Sequence, residues 1–192
     1  EKTTKWRVVV EQWLARIAGG FWEGGSHHGK LKELLDLLMG ELSKQAVIVW
    51  FKYNLEIQAV ATALRKAGIT SRRILGSVSP DERERIRKAW IRERFEVLLI
   101  QLKCGKQGID YSHADTAMYY SNTWDPEDRY QSEARIEHPE KRRPLLYLDL
   151  VAADTVDEDL IDALRAKKLE SRYFLRRLLN RTRVRHLKGS EQ

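Results

Sequence analysis

Cysteine is almost absent from this chain: Cys104 is the one thiol in 192 residues. A single thiol excludes a disulfide framework and a sulfur-rich metal site. No run of about 18 apolar residues occurs, which excludes a membrane-spanning helix and makes a membrane partner unexpected. The opening EKTTKWRVVVEQWL lacks the apolar core and small-residue cleavage site of a signal peptide. These absences predict an intracellular, reducing setting: cytoplasm, nucleoid or nucleus, including that of a virus-infected host. The sequence opens on Glu1 rather than Met, so a fragment or processed product is expected. No internal repeat or low-complexity segment stands out.

What is present is charge and apolar patterning. A hydrophobic content of 42% supports a sizeable core, and a net charge of +7 favours a polyanionic partner, nucleic acid first. Apolar Trp6, Val9, Val10, Trp13, Leu14 and Ile17 recur at helical spacing until Gly19-Gly20. After the glycine-rich GGFWEGGSHHG, Lys30 to Leu42 reads as an amphipathic helix with a leucine stripe. Buried strands are expected at Ala46–Phe51, Val97–Ile100, Ala117–Tyr120 and Leu145–Val151, with a short one at Arg73–Leu75. Helices lie between them, at Leu55–Lys66 ending on Gly68, and from Ser79-Pro80 to about Glu93. A further helix is expected to carry Gln131 and Arg135 on one face. Alternating strands and helices with short connections predict a parallel sheet covered on both faces.

Three segments carry chemistry. Gly24 to Lys30, GGSHHGK, nearly matches a phosphate loop, but Leu31 stands where a Ser or Thr must ligate magnesium, and no buried strand precedes it. His27 and His28 are adjacent, so they do not share a helical face as paired metal ligands do. The second segment is Val97–Ala153: strand, glycine-punctuated loop, strand, Trp-Asp-Pro break, and a helix bearing an arginine. Polar loops at the ends of parallel strands are where open α/β sheets bind nucleotides, and a projecting arginine stabilises charge on a transferring phosphate. The third is the basic and apolar tail from Arg165 to Lys188.

In that order the motifs resemble the second motor lobe of superfamily-two helicases, most closely the Swi/Snf-like DNA translocases, across roughly Lys30 to Lys168. Lys30-Leu31 resembles the Lys-Leu pair that opens this lobe. VIVWFKY (47–53) resembles motif IV, Ile74-Leu75-Gly76-Ser77 the strand-Gly-Ser turn, and KCGKQGIDY (103–111) motif V. Trp124-Asp125-Pro126 resembles Trp-Asn-Pro, and Gln131 to Arg135 the start of motif VI. In DERERIRKAW (81–90), Arg85 or Arg87 is expected to face outward.

The resemblance implies an α/β fold: a RecA-like three-layer sandwich with a central parallel sheet (30–155), between helical extensions at 1–29 and 156–192. It implies ATP with magnesium as cofactor, the metal ligands coming from an N-terminal RecA-like lobe, and DNA as partner. Arg135, Gln131 and His138 are then the catalytic candidates, Gly105, Gly108 and Asp110 face the nucleotide, and Lys52, Gly76, Ser77, Lys103 and Trp124 meet DNA. The tail resembles the brace that crosses both lobes. Two departures stand out. Gln101-Leu102 replace the family's Ser-Thr, so a hydroxyl contact is missing or replaced by the Gln101 amide, and His138 stands where a second arginine is expected. Arg135 is therefore the expected main finger. The alternatives are a non-catalytic DNA-binding or regulatory module with a degenerate lobe, and a Rossmann-like small-molecule enzyme. KYNLE after the first strand lacks the GxGxxG turn that the last of these requires.

Overall fold

The strongest strand former in the sequence, VIVWF, ends up at the centre of the molecule. In the computed structural model, which describes residues 13–20, 29–107 (105–107 by backbone alone) and 110–167, this segment is β1 (Val47–Phe51), buried along its whole length. Around it lie α1 (Gly29–Met39), α2 (Asn54–Lys66), β2 (Ser71–Ile74), α3 (Pro80–Ile91), β3 (Val97–Gln101), β4 (Thr116–Tyr119), α4 (Pro126–Glu133) and β5 (Leu146–Asp149). Further helical residues lie at 13–18 and 156–167, before and after these elements.

The five strands form one sheet in the order β2-β3-β1-β4-β5, every pair parallel. Because strand side chains alternate, β1 feeds two cores. Val47, Val49 and Phe51 join Leu34, Leu38, Ile57, Val60 and Leu64 of α1 and α2. Ile48 and Trp50 join Ile86 and Trp90 of α3 on the opposite face. Helix, sheet and helix are thus the three layers of an α/β sandwich. Full burial of Trp50 and Trp90 puts the cost of truncating either to alanine at about 3–5 kcal/mol.

Local signals set the boundaries. Ser79 Oγ accepts the Glu82 N–H at 3.3 Å, and Pro80 occupies the first turn of α3. Helix α2 ends with Gly68 at φ +76, where the Gly68 and Ile69 N–H groups return to Arg65 and Leu64 carbonyls. Strand β2 begins two residues earlier than the apolar pattern predicts. As an edge strand paired only to β3, it tolerates exposed Arg72 and Arg73, whose charges also discourage pairing with another chain. Helix α4 ends at Glu133, so the expected extension through Arg135 does not form. The expected helices of 4–18 and of the tail fall within the described residues only at 13–18 and 165–167. Among the described residues, no helix is long and apolar enough to cross a membrane.

Parallel strands send all their carboxyl ends to one edge. The chain leaves β1 toward β2 on one side, and leaves β4 toward β5 on the other. A crevice opens where such connections diverge.

Candidate functional site

Lys52 directly follows β1. Its N–H donates to Ser121 Oγ at 2.8 Å, and its Nζ lies 5.3 Å from the Tyr53 ring centroid. Gly76 and Ser77 follow β2, both exposed. Lys103 follows β3 in a tight 3₁₀ turn (Leu102–Gln107) and is exposed. These residues therefore share the carboxyl edge of three adjacent strands. Trp124 follows β4 on the same edge, but there it packs against Leu160, Ile161 and Leu164 of the trailing helix, and its carbonyl accepts from Lys167 Nζ at 3.3 Å. A Cβ on Gly76 would lie 3.7 Å from Gln101 Oε1, an ordinary contact, so space alone does not demand glycine there.

A second group collects behind the loop after β3. Gly105 lies within the 3₁₀ turn, while Gly108 is outside the described residues. Asp110 is exposed and accepts the Ser112 N–H at 2.8 Å. Partial burial opposes its ionisation. The hydrogen bonds from Ser112, with the charges of His138 and Arg87, prevail and hold its carboxyl below the usual range. Arg87 is also gripped by Glu84 in a two-pronged pair at 2.7 and 2.8 Å, as a planar guanidinium allows. Of the two arginines expected to face outward on α3, Arg85 is exposed and Arg87 is half-buried beside Asp110.

Arg135 belongs to this group by its backbone. Its carbonyl accepts the Tyr111 N–H at 2.9 Å, one residue beyond Asp110, and its own N–H returns to Ser132 at 3.2 Å. It lies in the turn after α4, so the one-turn helical spacing from Gln131 is not what orients it. Gln131 remains on the helix, half-buried, with Nε2 donating to Glu127 at 2.8 Å. His138 is exposed, and its Nδ1 accepts the Glu140 N–H at 3.3 Å. An accepting Nδ1 leaves the proton of a neutral ring on Nε2, available as an outward donor. Arg135, His138 and Asp110 thus come together, while Gln131 is turned along its own helix.

The phosphate-loop residues Gly24 to His28 lie outside the described residues, but Lys30 does not. Its ammonium is buried, ion-paired with Asp157 and donating to the Tyr120 carbonyl at 3.1 Å. A lysine so engaged fastens α1 to the trailing helix.

Pattern reading missed three buried polar clusters. Arg83 is 5% exposed, and its Nη2 donates to the Leu75 and Gly76 carbonyls at 3.0 and 3.2 Å. Arg129 stacks 3.4 Å from the Tyr119 ring centroid and bonds Glu133, Asn122 and Asp149. Both arginines sit in charge-rich helices that read as solvated faces. Glu56 is the third. It bonds Ser121, accepts the Tyr53 N–H at 3.3 Å and leaves Oε1 buried without a partner. Its one legible signal is its position three residues past Tyr53, where a carboxylate closes a capping box.

Burial, against the opposing pull of Ser121, the Tyr53 N–H and Lys30, pushes the Glu56 pKa up to about 7. The folded state therefore holds this proton more tightly than the unfolded chain does. The associated stability is present in full below the ordinary carboxylate range, about 4.5, and is lost as pH rises through about 7. Thermal melting from pH 5.5 to 7.5 is expected to show a stability loss of about 2 kcal/mol with rising pH, flattened by Glu56→Gln. An unaltered slope in that variant would assign the effect elsewhere.

With the geometry in place, the similarity to known proteins is informative. The family model "Helicase conserved C-terminal domain" matches residues 29–138, more than half of the chain. A Saccharomyces cerevisiae DNA repair and recombination protein, RDH54, is 27% identical over 77% of this chain. The human lymphoid-specific helicase is 24% identical over 70% of it. The chain spans 16% of the length of each of these relatives. Among solved structures, the C-terminal part of the Fun30 ATPase domain superposes with a TM-score of 0.64 at 15% identity, covering 73% of this chain and 46% of that one. The Pyrococcus furiosus Hef helicase domain does so at 0.57 and 24% identity, covering 69% and 28%. The sandwich is the RecA-like fold of helicase C-terminal lobes.

Proposed function

Since the chain belongs to the helicase conserved C-terminal domain family, we propose that it is the second motor lobe of an ATP-dependent DNA helicase or translocase. The observation that carries this reading is the convergence of exposed Lys103 and Gly76-Ser77 with half-buried Lys52 on one sheet edge, next to the group of Asp110, Arg87, Arg135 and His138. The first set suits the phosphates of a nucleic-acid strand, which backbone N–H groups, hydroxyls and ammonium groups can hold. Arginine and histidine gathered beside the Gly105 loop suit a polyphosphate. Trp124 holds the trailing helix from one side and offers the strand what remains of its ring.

In this reading ATP lies between this lobe and an N-terminal one. The N-terminal lobe brings the phosphate-loop lysine and the magnesium-binding carboxylates, and this lobe brings Arg135, with Gln131 and His138 in support. Arg135 stabilises charge on the transferring phosphoryl group, His138 can add a hydrogen bond through Nε2, and the Gly105 backbone approaches the nucleotide. The brace that the resemblance implies would continue from the trailing helix into the tail, which lies outside the described residues. The relatives' printed names, a DNA repair and recombination protein and a helicase, agree with DNA as partner and with work inside the cell.

A test separates grip from chemistry. The purified 192-residue chain is expected to bind single-stranded DNA with an affinity that falls steeply with salt, yet to hydrolyse essentially no ATP, with or without DNA. Robust DNA-stimulated turnover by this chain alone would overturn the shared-site reading and restore GGSHHGK as a phosphate loop. A non-catalytic DNA-binding module is the second reading, favoured by one observation: His138 stands where the resemblance expects an arginine.

A further inference from the structure

Two side chains hold the turn after β2, one from the end of β3 and one from α3. Gln101, the last residue of β3, presents Oε1 to the Gly76 N–H at 3.3 Å and lies 4.0 Å from the Cys104 thiol. Arg83 reaches down from the first turns of α3 and donates to both the Leu75 and Gly76 carbonyls. Both backbone polar groups of Gly76 are therefore engaged from within the lobe, and Ser77 is left facing outward.

The placement of Arg83 is unusual for a charge. Among the described residues no carboxylate pairs with it and its buried Nε meets no acceptor, while its field acts on Cys104 and Tyr111, on either side of Gly105 in the chain. A buried guanidinium normally gathers acidic partners. Here its polar contacts are two carbonyls of a single turn. That is a costly arrangement unless the shape of the turn matters.

We infer that Gln101 and Arg83 are positioning residues that fasten the Leu75-Gly76-Ser77 turn to the loop beginning at Leu102, so that Ser77 and Lys103 hold a phosphate backbone at fixed spacing. This inference rests on the proposed DNA grip and deepens it. Movement of the loop beside the nucleotide then carries the β2 turn with it, and DNA held at Ser77 moves as the loop moves. The long side chain of Gln101 is what makes the link: it spans from the end of β3 to the neighbouring strand's turn, a reach that a serine in its place lacks.

The test uses the protein with both lobes and a fluorescein-labelled 30-nucleotide single strand. Gln101→Met keeps length and burial but removes the acceptor. It is expected to raise the DNA concentration for half-maximal ATPase stimulation by about three- to tenfold, the worth of one hydrogen bond, while the rate at saturating DNA falls less than about twofold and the melting temperature shifts by under about 2 °C. Arg83→Met is expected to weaken DNA binding at least as much, with Arg83→Lys recovering part of the loss. DNA affinity unaffected by Gln101→Met would overturn the inference. So would affinity, saturating rate and melting temperature falling together, which marks a purely structural role. If the wild-type protein binds no DNA, the functional reading fails and takes this inference with it; wild-type binding with an unaffected variant sinks the inference alone.

Discussion

Arg135→Ala, made in the protein that contains both lobes, is expected to cut DNA-stimulated ATP turnover by roughly 10³-fold or more, while DNA affinity changes by less than about threefold. The expectation follows from how the residue is held. Its backbone is tied at both ends, the carbonyl to the Tyr111 N–H and the N–H to the Ser132 carbonyl, so the guanidinium departs from a fixed point beside the Gly105–Asp110 loop. The side chain is half-buried, neither lost in the core nor free on the surface. A transition-state contact of this kind lowers kcat without weakening ground-state DNA binding. Arg135→Lys is expected to recover little, because an ammonium cannot make the two parallel hydrogen bonds of a guanidinium. Equal loss of turnover and DNA affinity would place Arg135 in the grip instead.

The second large effect concerns stability. Arg129→Ala is expected to destabilise the lobe by about 3–5 kcal/mol, measured as a shift in urea midpoint at constant slope. Arg129 holds Glu133 through Nε at 2.8 Å, Asn122 through Nη1 at 2.9 Å, and Asp149 through both Nη1 and Nη2. Arg129 and Glu133 are each about 10% exposed at the side chain, and Asp149 22%. Removing the cation strands the Asp149 carboxylate in a poorly solvated place, takes from Glu133 the Arg129 bond and uncovers the Tyr119 ring. Most of the loss is therefore the penalty of unpaired charge, and Arg129→Met combined with Asp149→Asn is expected to recover part of it. A loss under about 1 kcal/mol would mean that water already screens the cluster.

That cluster also shows where reading the sequence stops. The apolar segments were legible because burial on both faces leaves a continuous run: VIVWF and VLLIQ are strands, and the leucine stripe after Lys30 is a helix against the sheet. Punctuation was legible too, in Ser79-Pro80 opening α3 and Gly68 closing α2. The edge strand SRRI was displaced because its residues carry no apolar pattern; what makes them a strand is pairing with β3, a long-range fact. Arg135 was singled out by its one-turn spacing from Gln131, but α4 stops two residues earlier and Arg135 lies in the following turn, where its carbonyl accepts the Tyr111 N–H.

The buried charges were illegible for a different reason. Arg83 and Arg129 lie in DERERIRKAW and DPEDRYQSE, where neighbouring charges such as Glu82, Arg85 and Glu127 do face solvent, and composition gives no phase by which to tell them apart. Glu56 looks like any residue in the first turn of a helix until β4 brings Ser121 against it. Lys30 was placed by its resemblance to a Lys-Leu pair, yet the Asp157 that neutralises it lies far along the chain. Polar burial depends on partners that meet only through topology.

The most direct measurement is ATP turnover by the protein containing both lobes, with and without saturating single- and double-stranded DNA. A second motor lobe predicts turnover that DNA raises at least about tenfold and that Arg135→Ala removes. Turnover that no nucleic acid stimulates, or none at all, would contradict it and leave the non-catalytic module as the better description of this lobe.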